Sequence, residues 1–361
     1  EKRHTADASK LRLARQAWGI LGLYFTAAPH MPRAVLPYSL PLLLIVLIGI
    51  AALSLTLGAY PLSIPESLRA LWGTGEPIAV QVVQDIRLPR TLGAILVGAA
   101  LAAAGTAYQL LFRNPLVSPD ILGVSSGAGL GAVLGLFLGL PSLGVQSLAF
   151  AGGIAAVALV IALGKAIQHA DRTLVLVLTG VVLGALAGAI TSLLKILADP
   201  YDQLPAITFW LLGSLSGMHM AQVGVVAPVV LVACSVLYLL RWRLNVLSLP
   251  EAEANTLGVP VKPLRIAVIA LATIMTSAVV AVAGVIGWIG LLIPHAARLL
   301  VGPSLARLLP MSIVMGALFL LLVDTASRSA GDLEIPLGIL TALVGAPFFL
   351  GLLLRRAGAS S

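Results

Sequence analysis

Charge is what this 361-residue chain has least of: 10% is Asp, Glu, Lys or Arg, against 59% hydrophobic residues. A soluble domain of that make-up could not cover its surface with polar groups, so a soluble fold is excluded. Cysteine is nearly absent too. The single one, Cys234, excludes an internal disulfide and a cysteine metal cluster, and its apolar surroundings mark it as a small packing residue. No G-x-x-x-x-G-K-[ST] loop occurs, because Gly164–Lys165 continues into Ala166. His4, His30, His169, His219 and His295 are far apart, none with an acid directly beside it, and no Ser–His or paired-Asp arrangement for intramembrane proteolysis can be assembled. These absences predict a chain that is not itself an enzyme and holds neither metal nor cofactor.

Long apolar runs are abundant. They recur from residue 38 onward and predict an all-α, polytopic helical membrane protein. About ten spans are expected, near 38–60, 91–111, 118–139, 147–168, 174–197, 223–240, 266–285, 289–301, 309–329 and 336–354. The run 289–301 is too short to cross without neighbours. The net charge of +8 suggests nucleic acid until its distribution is read. Only Arg69, Arg87, Arg90, Lys195 and Arg328 fall on the outward side or outer span ends; the other 17 of 22 basic residues fall inward. The positive-inside rule then places both termini in the cytoplasm, with the lipid bilayer as partner and no nucleic acid.

Residues 1–36 form a basic extension whose apolar stretch "AWGILGLYFTAA" is too short to span and is expected at the inner-leaflet surface. A cleaved signal peptide is the competing reading, without a convincing small-residue cleavage site before Pro37. Residues 37–356 form the membrane domain.

Glycine is placed at intervals. Gly123, Gly127, Gly131, Gly135 and Gly139 recur every four residues, and Gly180, Gly184 and Gly188 repeat the device. Such stripes let helices approach closely; a smooth wall beside a translocation path is the alternative, and spacing alone does not separate them. Lys195–Asp199 and Asp324–Arg328 have the spacing of intrahelical ion pairs, and Lys195 could instead face a path and attract an anionic solute. The stretch "RNPLVSPDILGVSSGAG" (113–129) sets a polar, proline-stiffened elbow between two spans. Outside, "ADPYDQLPAITFWLLGSLSGMH" is too short for a crossing and is expected as a re-entrant helix. Inside, the loop about 241–265 carries a short helix from Pro250, with Glu251 and Glu253 in its first turn and Gly258 as its stop.

"IRLPRTLGAILVGAALAAAGTAYQLLFRNPLVSPDILGVSSGAG", "PEAEANTLGVPV", "AVAGVIGWIGLLIPHAARLL" and "LEIPLGILTALVGAPFFLGLLLRR" together resemble the iron-chelate and cobalamin permeases of ATP-binding-cassette importers, over roughly residues 38–356. Pro250 stands where that family usually has Gly, and Trp288 where Phe is common. The resemblance implies a type II importer permease fold in the bacterial cytoplasmic membrane and a homodimer with the path between its copies. It also implies two cytoplasmic ATPase subunits that carry ATP and Mg²⁺, and a periplasmic binding protein. By resemblance, Asn114, Leu116 and Thr173 belong to a cytoplasmic gate. Glu251, Ala254, Leu257 and Gly258 lie on the ATPase-coupling helix, and Arg87, Arg90 and Arg328 hold acidic knobs of the binding protein. Gly180, Gly184, Gly188 and Lys195 belong to the path or its packing. The expected cargo is a ferric siderophore, haem or cobalamin, with molybdate or tungstate as the alternative. An ion-coupled secondary transporter is the reading from another class; its mark, intramembrane carboxylates near the midplane, is missing.

Overall fold

The computed structural model describes residues 36–58, 60–167, 172–249, 251–329 and 334–359. Positions 1–35 of the expected extension lie outside the described residues. Among the described residues the chain is all helix and turn, with fifteen α-helices and no strand. These are α1 (Leu36–Ser54), α2 (Ile64–Leu71), α3 (Pro77–Gln81), α4 (Leu88–Leu111), α5 (Val124–Phe137), α6 (Ser142–Ala166), α7 (Arg172–Leu197) and α8 (Gln203–Leu212). There follow α9 (Met220–Leu239), α10 (Arg241–Val246), α11 (Glu251–Thr256), α12 (Val261–Ala283), α13 (Ile289–Val301), α14 (Leu305–Ser327) and α15 (Leu337–Ala359). Each of the ten expected spans finds its helix. Six are long and apolar enough to cross a membrane, and the described parts of α1, α5, α13 and α15 are shorter.

The centre of the molecule is α4. A π-helical turn, Val82–Arg87, joins α3 to α4 into one rod of 35 residues, Pro77–Leu111. At 1.5 Å per residue the rod is about 50 Å long, some 20 Å more than a hydrocarbon core needs. Its most apolar stretch is 89% enclosed by protein, whereas that of α7 is only 11% enclosed. Small residues allow this. A methyl group placed on Gly98 would lie 2.2 Å from the Gly316 carbonyl oxygen of α14, and one on Gly105 would lie 1.9 Å from that of Gly290 in α13. Only glycine permits such backbone contact, and dispersion over the close-packed strip replaces a hydrophobic driving force that lipid does not supply.

The glycine ladder after the elbow is packing. Gly123 (φ +78°) starts α5 in the left-handed conformation, and Gly139 (φ +67°) follows its end. Between them Gly127 and Gly131 press on α6, where added methyls would meet the carbonyl oxygens of Gly152 and Leu148 at 2.5 and 2.1 Å. For these two residues the path-wall alternative is excluded. The 14 residues of α5 span only about 21 Å, less than a hydrocarbon core needs, so the elbow before it must climb back along α4. It does. The Pro119 ring sits against Gly290, the residue that meets Gly105 of α4, six residues or about 9 Å above Leu111.

Candidate gate and coupling site

The elbow begins where α4 ends, in a Schellman cap. The Arg113 amide donates to the Leu110 carbonyl at 3.2 Å and the Asn114 amide to the Gln109 carbonyl at 3.1 Å. Such a cap needs one left-handed residue and normally uses Gly. Here it is Arg113, at φ +49°, a placement that costs a residue with a β-carbon about 1–2 kcal/mol. Its side chain bonds elsewhere: Nε donates to the Leu247 carbonyl at 3.0 Å, and a terminal nitrogen donates to that of Leu249. Charged donors of this kind are worth roughly 1.5–3 kcal/mol each, enough to offset the backbone. One residue on, Asn114 Oδ1 accepts from the Leu116 amide at 2.9 Å and shapes the turn that leaves Leu116 exposed. The Thr173 side chain lies outside the described residues.

The loop about 241–265, expected to face inward, is built around the same contact. The short α10 runs into two further turns, with Ser248 and Leu249 amides donating to the Asn245 and Val246 carbonyls. Asn245 Oδ1 accepts from the Leu305 amide at 3.0 Å, which caps the start of α14. Leu247 is buried. The expected helix then appears as α11, stopped as expected by Gly258 at φ +73° in another Schellman cap: Gly258 to Asn255 at 3.0 Å, Val259 to Ala254 at 3.2 Å. Ala254 anchors it inward, while Glu253, Leu257 and Gly258 are exposed. The side chain of Glu251 lies outside the described residues.

At the end of the bundle expected to face outward, Arg87, Arg90 and Arg328, which the resemblance assigns to docking, all have engaged guanidinium groups. Arg87 donates to the carbonyls of Leu55 (2.9 Å), Thr56 (3.0 Å) and Tyr60. Arg90 pairs with Asp324 at 2.8 Å and Glu334 at 2.7 Å. Arg328 reaches Asp324 at 3.4 Å, the expected i,i+4 pair, and donates to the carbonyls of Leu57 (2.8 Å) and Ser54 (2.6 Å). Arg87 and Arg90 are only 4% and 5% exposed. The chain turning back after α1 leaves its last carbonyls without helical partners, and the arginines supply donors. Outward cations thus stitch α1, α4 and α14 together. Among the five basic residues expected on the outward side, only Arg69 of α2 is exposed. That helix has an S-x-x-E signature, Ser63 to Glu66, which the sequence reading passed over. The Ser63 hydroxyl and amide hold the Glu66 carboxyl below the usual carboxylate range.

Lys195 and Asp199 do not pair among the described residues. Asp199 Oδ1 instead accepts from the amides of Tyr201 and Asp202, both at 2.9 Å, and shapes the entry to α8. Lys195 is half-buried. On α7, Gly180 presses against the elbow, 2.1 Å from a built methyl to the Ile121 carbonyl oxygen; Gly184 faces Ser126, and Gly188 faces open space. The stretch expected as a re-entrant helix forms the ten-residue α8, which ends at Gly213 against the unwound link between α12 and α13. Beside it opens a cavity of about 430 Å³ whose polar lining is Ser142, Gln146, Ser214, Ser216 and Gln222, all uncharged.

A model of the FecCD transport family matches residues 43–355. The molybdate import system permease MolB of Haemophilus influenzae is 42% identical over 89% of this chain and 96% of its own length. The cobalamin import permease BtuC of Halobacterium salinarum is 43% identical over 78% of this chain and 76% of its own. The haemin transport permease HmuU of Yersinia pestis is 38% identical over 90% and 96%. A metal-chelate type ABC transporter solved in an inward-facing conformation superposes with a TM-score of 0.81 and 41% identity, over 89% of this chain and 99% of its own. A capped helix in the inward loop, a proline elbow bonded to it and a glycine-packed helical bundle are thus set in a sequence matched almost end to end. The chain belongs to the FecCD transport family, as a membrane-spanning permease of ATP-binding-cassette importers.

Proposed function

We propose that two copies of this chain form a path for a metal chelate, handed over outside by a binding protein and released to the cytoplasm. In this reading both termini are cytoplasmic, two ATPase subunits carry ATP and Mg²⁺, and the permease itself holds no cofactor. The observation that carries it is α11, an independently capped helix with Leu257 exposed, bonded through Leu247 and Leu249 to the elbow that bears Asn114 and Leu116. ATP-driven closure of the ATPase subunits displaces α11, the elbow follows, and the differing contacts of the two states supply the bias. Asn114 and Leu116, with Thr173, form the inner constriction, where two-fold symmetry makes each act twice.

The outer arginines serve docking indirectly, by holding the outer ends of α1, α4 and α14 in register, while Arg69 presents charge to the partner. Gly188 and Lys195 face the path, and Gly180 packs the elbow. A second cargo reading, an oxyanion such as molybdate, is favoured by the MolB relative and by the half-buried Lys195. Reconstituted liposomes with the ATPase subunits and binding protein decide between them. ATP-dependent uptake of a ferric siderophore, haem or cobalamin, unaffected by excess molybdate, is the expected result; molybdate uptake alone overturns the chelate reading.

A further inference from the structure

Four described helix ends are closed by the same backbone motif, and three of them put glycine (Gly73, Gly139 and Gly258) in the left-handed turn. At the end of α11 the turn falls on Gly258, the residue the motif favours. At the end of α4 it falls on Arg113, and a residue with a β-carbon is disfavoured there. Nothing in the cap requires a guanidinium. What Arg113 adds lies on the other side: its Nε reaches the Leu247 carbonyl at 3.0 Å, and a terminal nitrogen bonds the Leu249 carbonyl. Leu249 is two residues before α11. The segment it grips is firm, because Leu247 is buried and Asn245 is bonded to the first turn of α14. Gripping two carbonyls with one planar fork resists rotation as well as translation, which a lysine ammonium cannot do.

On the near side, the Arg113 and Asn114 amides are both locked to α4 carbonyls, and Asn114 in turn holds Leu116. A displacement of the Leu247–Leu249 segment therefore has a short bonded route to the elbow. We propose that Arg113 is the tie that delivers movement of the cytoplasmic docking helix to the elbow, a positioning residue for transport. This rests on the permease reading above.

Arg113→Gly is the informative change, because glycine suits the left-handed cap while removing the fork. ATP hydrolysis and uptake are read in unlabelled permease assembled with its ATPase subunits, and movement is read separately from a fluorophore on Leu116→Cys in a Cys234→Ser background. ATP hydrolysis by the Arg113→Gly complex is expected to stay within about twofold of the parent, while uptake per ATP falls about tenfold or more and the fluorophore stops following ATP, a coupling loss of ordinary allosteric size. Arg113→Lys is expected to recover part of the signal. A fluorophore that follows ATP in Arg113→Gly as in the parent overturns the proposal. Should the parent fluorophore follow ATP without chelate uptake, the cargo reading fails and the tie is still decided by the signal. A parent complex that neither hydrolyses ATP nor signals overturns the permease reading and the tie together.

Discussion

Arg90 and Asp324 stand 234 positions apart in sequence and pair at 2.8 Å, both side chains almost wholly enclosed. The pair joins the outer ends of α4 and α14, the helices that also touch backbone to backbone at Gly98 and Gly316. Asp324 is shared by two enclosed cations, Arg90 and Arg328, and its removal leaves Arg90 only the half-exposed Glu334, so the cost is expected to approach the about 3–5 kcal/mol of a broken buried pair. Asp324→Ala is expected to lower thermal stability in detergent sharply. An apolar double replacement, Arg90→Met with Asp324→Leu, is expected to regain most of the loss. Equal damage from single and double changes would show that the site matters for something other than its own pairing.

Glu334 is 45% exposed where it meets Arg90, and exposed ion pairs contribute little to stability. Glu334→Gln should leave the unfolding midpoint nearly unchanged while freeing part of Arg90 for an incoming carboxylate. Capture of the loaded binding protein is then expected to tighten by a few-fold and to grow more sensitive to salt. Unchanged affinity at low and high salt would remove Arg90 from any docking role, direct or competitive.

Two glycines on α7 separate packing from path. Gly180→Leu meets the Ile121 carbonyl, and such overpacking costs about 1–3 kcal/mol or more, so yield and melting temperature should fall. Gly188→Leu meets nothing within 4 Å in its own chain and should fold normally. Its effect is expected on uptake alone, measured against an intact ATPase rate; a normal uptake rate would place Gly188 away from the path.

Gly258 at φ +73° stops α11. Gly258→Val forces a branched side chain into that turn at a cost of about 1–2 kcal/mol, and about tenfold weaker association with the ATPase subunits is expected. Gly258→Asn, tolerant of the same backbone, should bind nearly as the parent does. Co-purification with tagged ATPase reads both, and equal retention of the Val and Asn variants would detach α11 from the interface.

The gate assignment is tested by replacing Asn114 and Leu116 together with Ala. The change removes the Asx turn and an exposed side chain without touching the Schellman cap, so assembly should survive and a small tracer should leak from liposomes without ATP. A tight membrane with correctly inserted protein would reduce the elbow to a connector.

The helices of the ten expected spans, the α11 helix with its glycine stop, and the short helix α8 were all readable from local pattern, because periodicity, capping and hydropathy act over a few residues. The capping box at Ser63–Glu66 was equally readable and was overlooked. Arg90 was not readable in the same sense: its partners Asp324 and Glu334 are fixed by how α4 and α14 cross, which no local window contains. The half-length of α5 was hidden because Leu116, Val117, Ile121 and Leu122 of the elbow carry its hydropathy backward without continuing its helix. Arg113 eluded pattern for the opposite reason. A left-handed cap announces itself through Gly or Asn, and an arginine there reads as ordinary inward charge.

The enclosure of α4 has a consequence for how the chain is made. It leaves the ribosome early among the described spans, and the helices that cover it, α12, α13 and α14, begin 150 or more residues after its last residue. Until they arrive, a surface of alanine and glycine suited to backbone contact faces lipid, which offers it no interlocking partner. The newborn half-protein is therefore an incomplete shell around its own axis. Truncation after α7 should leave a species that inserts but stays open to protease and to stray helices, so biogenesis has its vulnerable interval between the fifth span and the ninth.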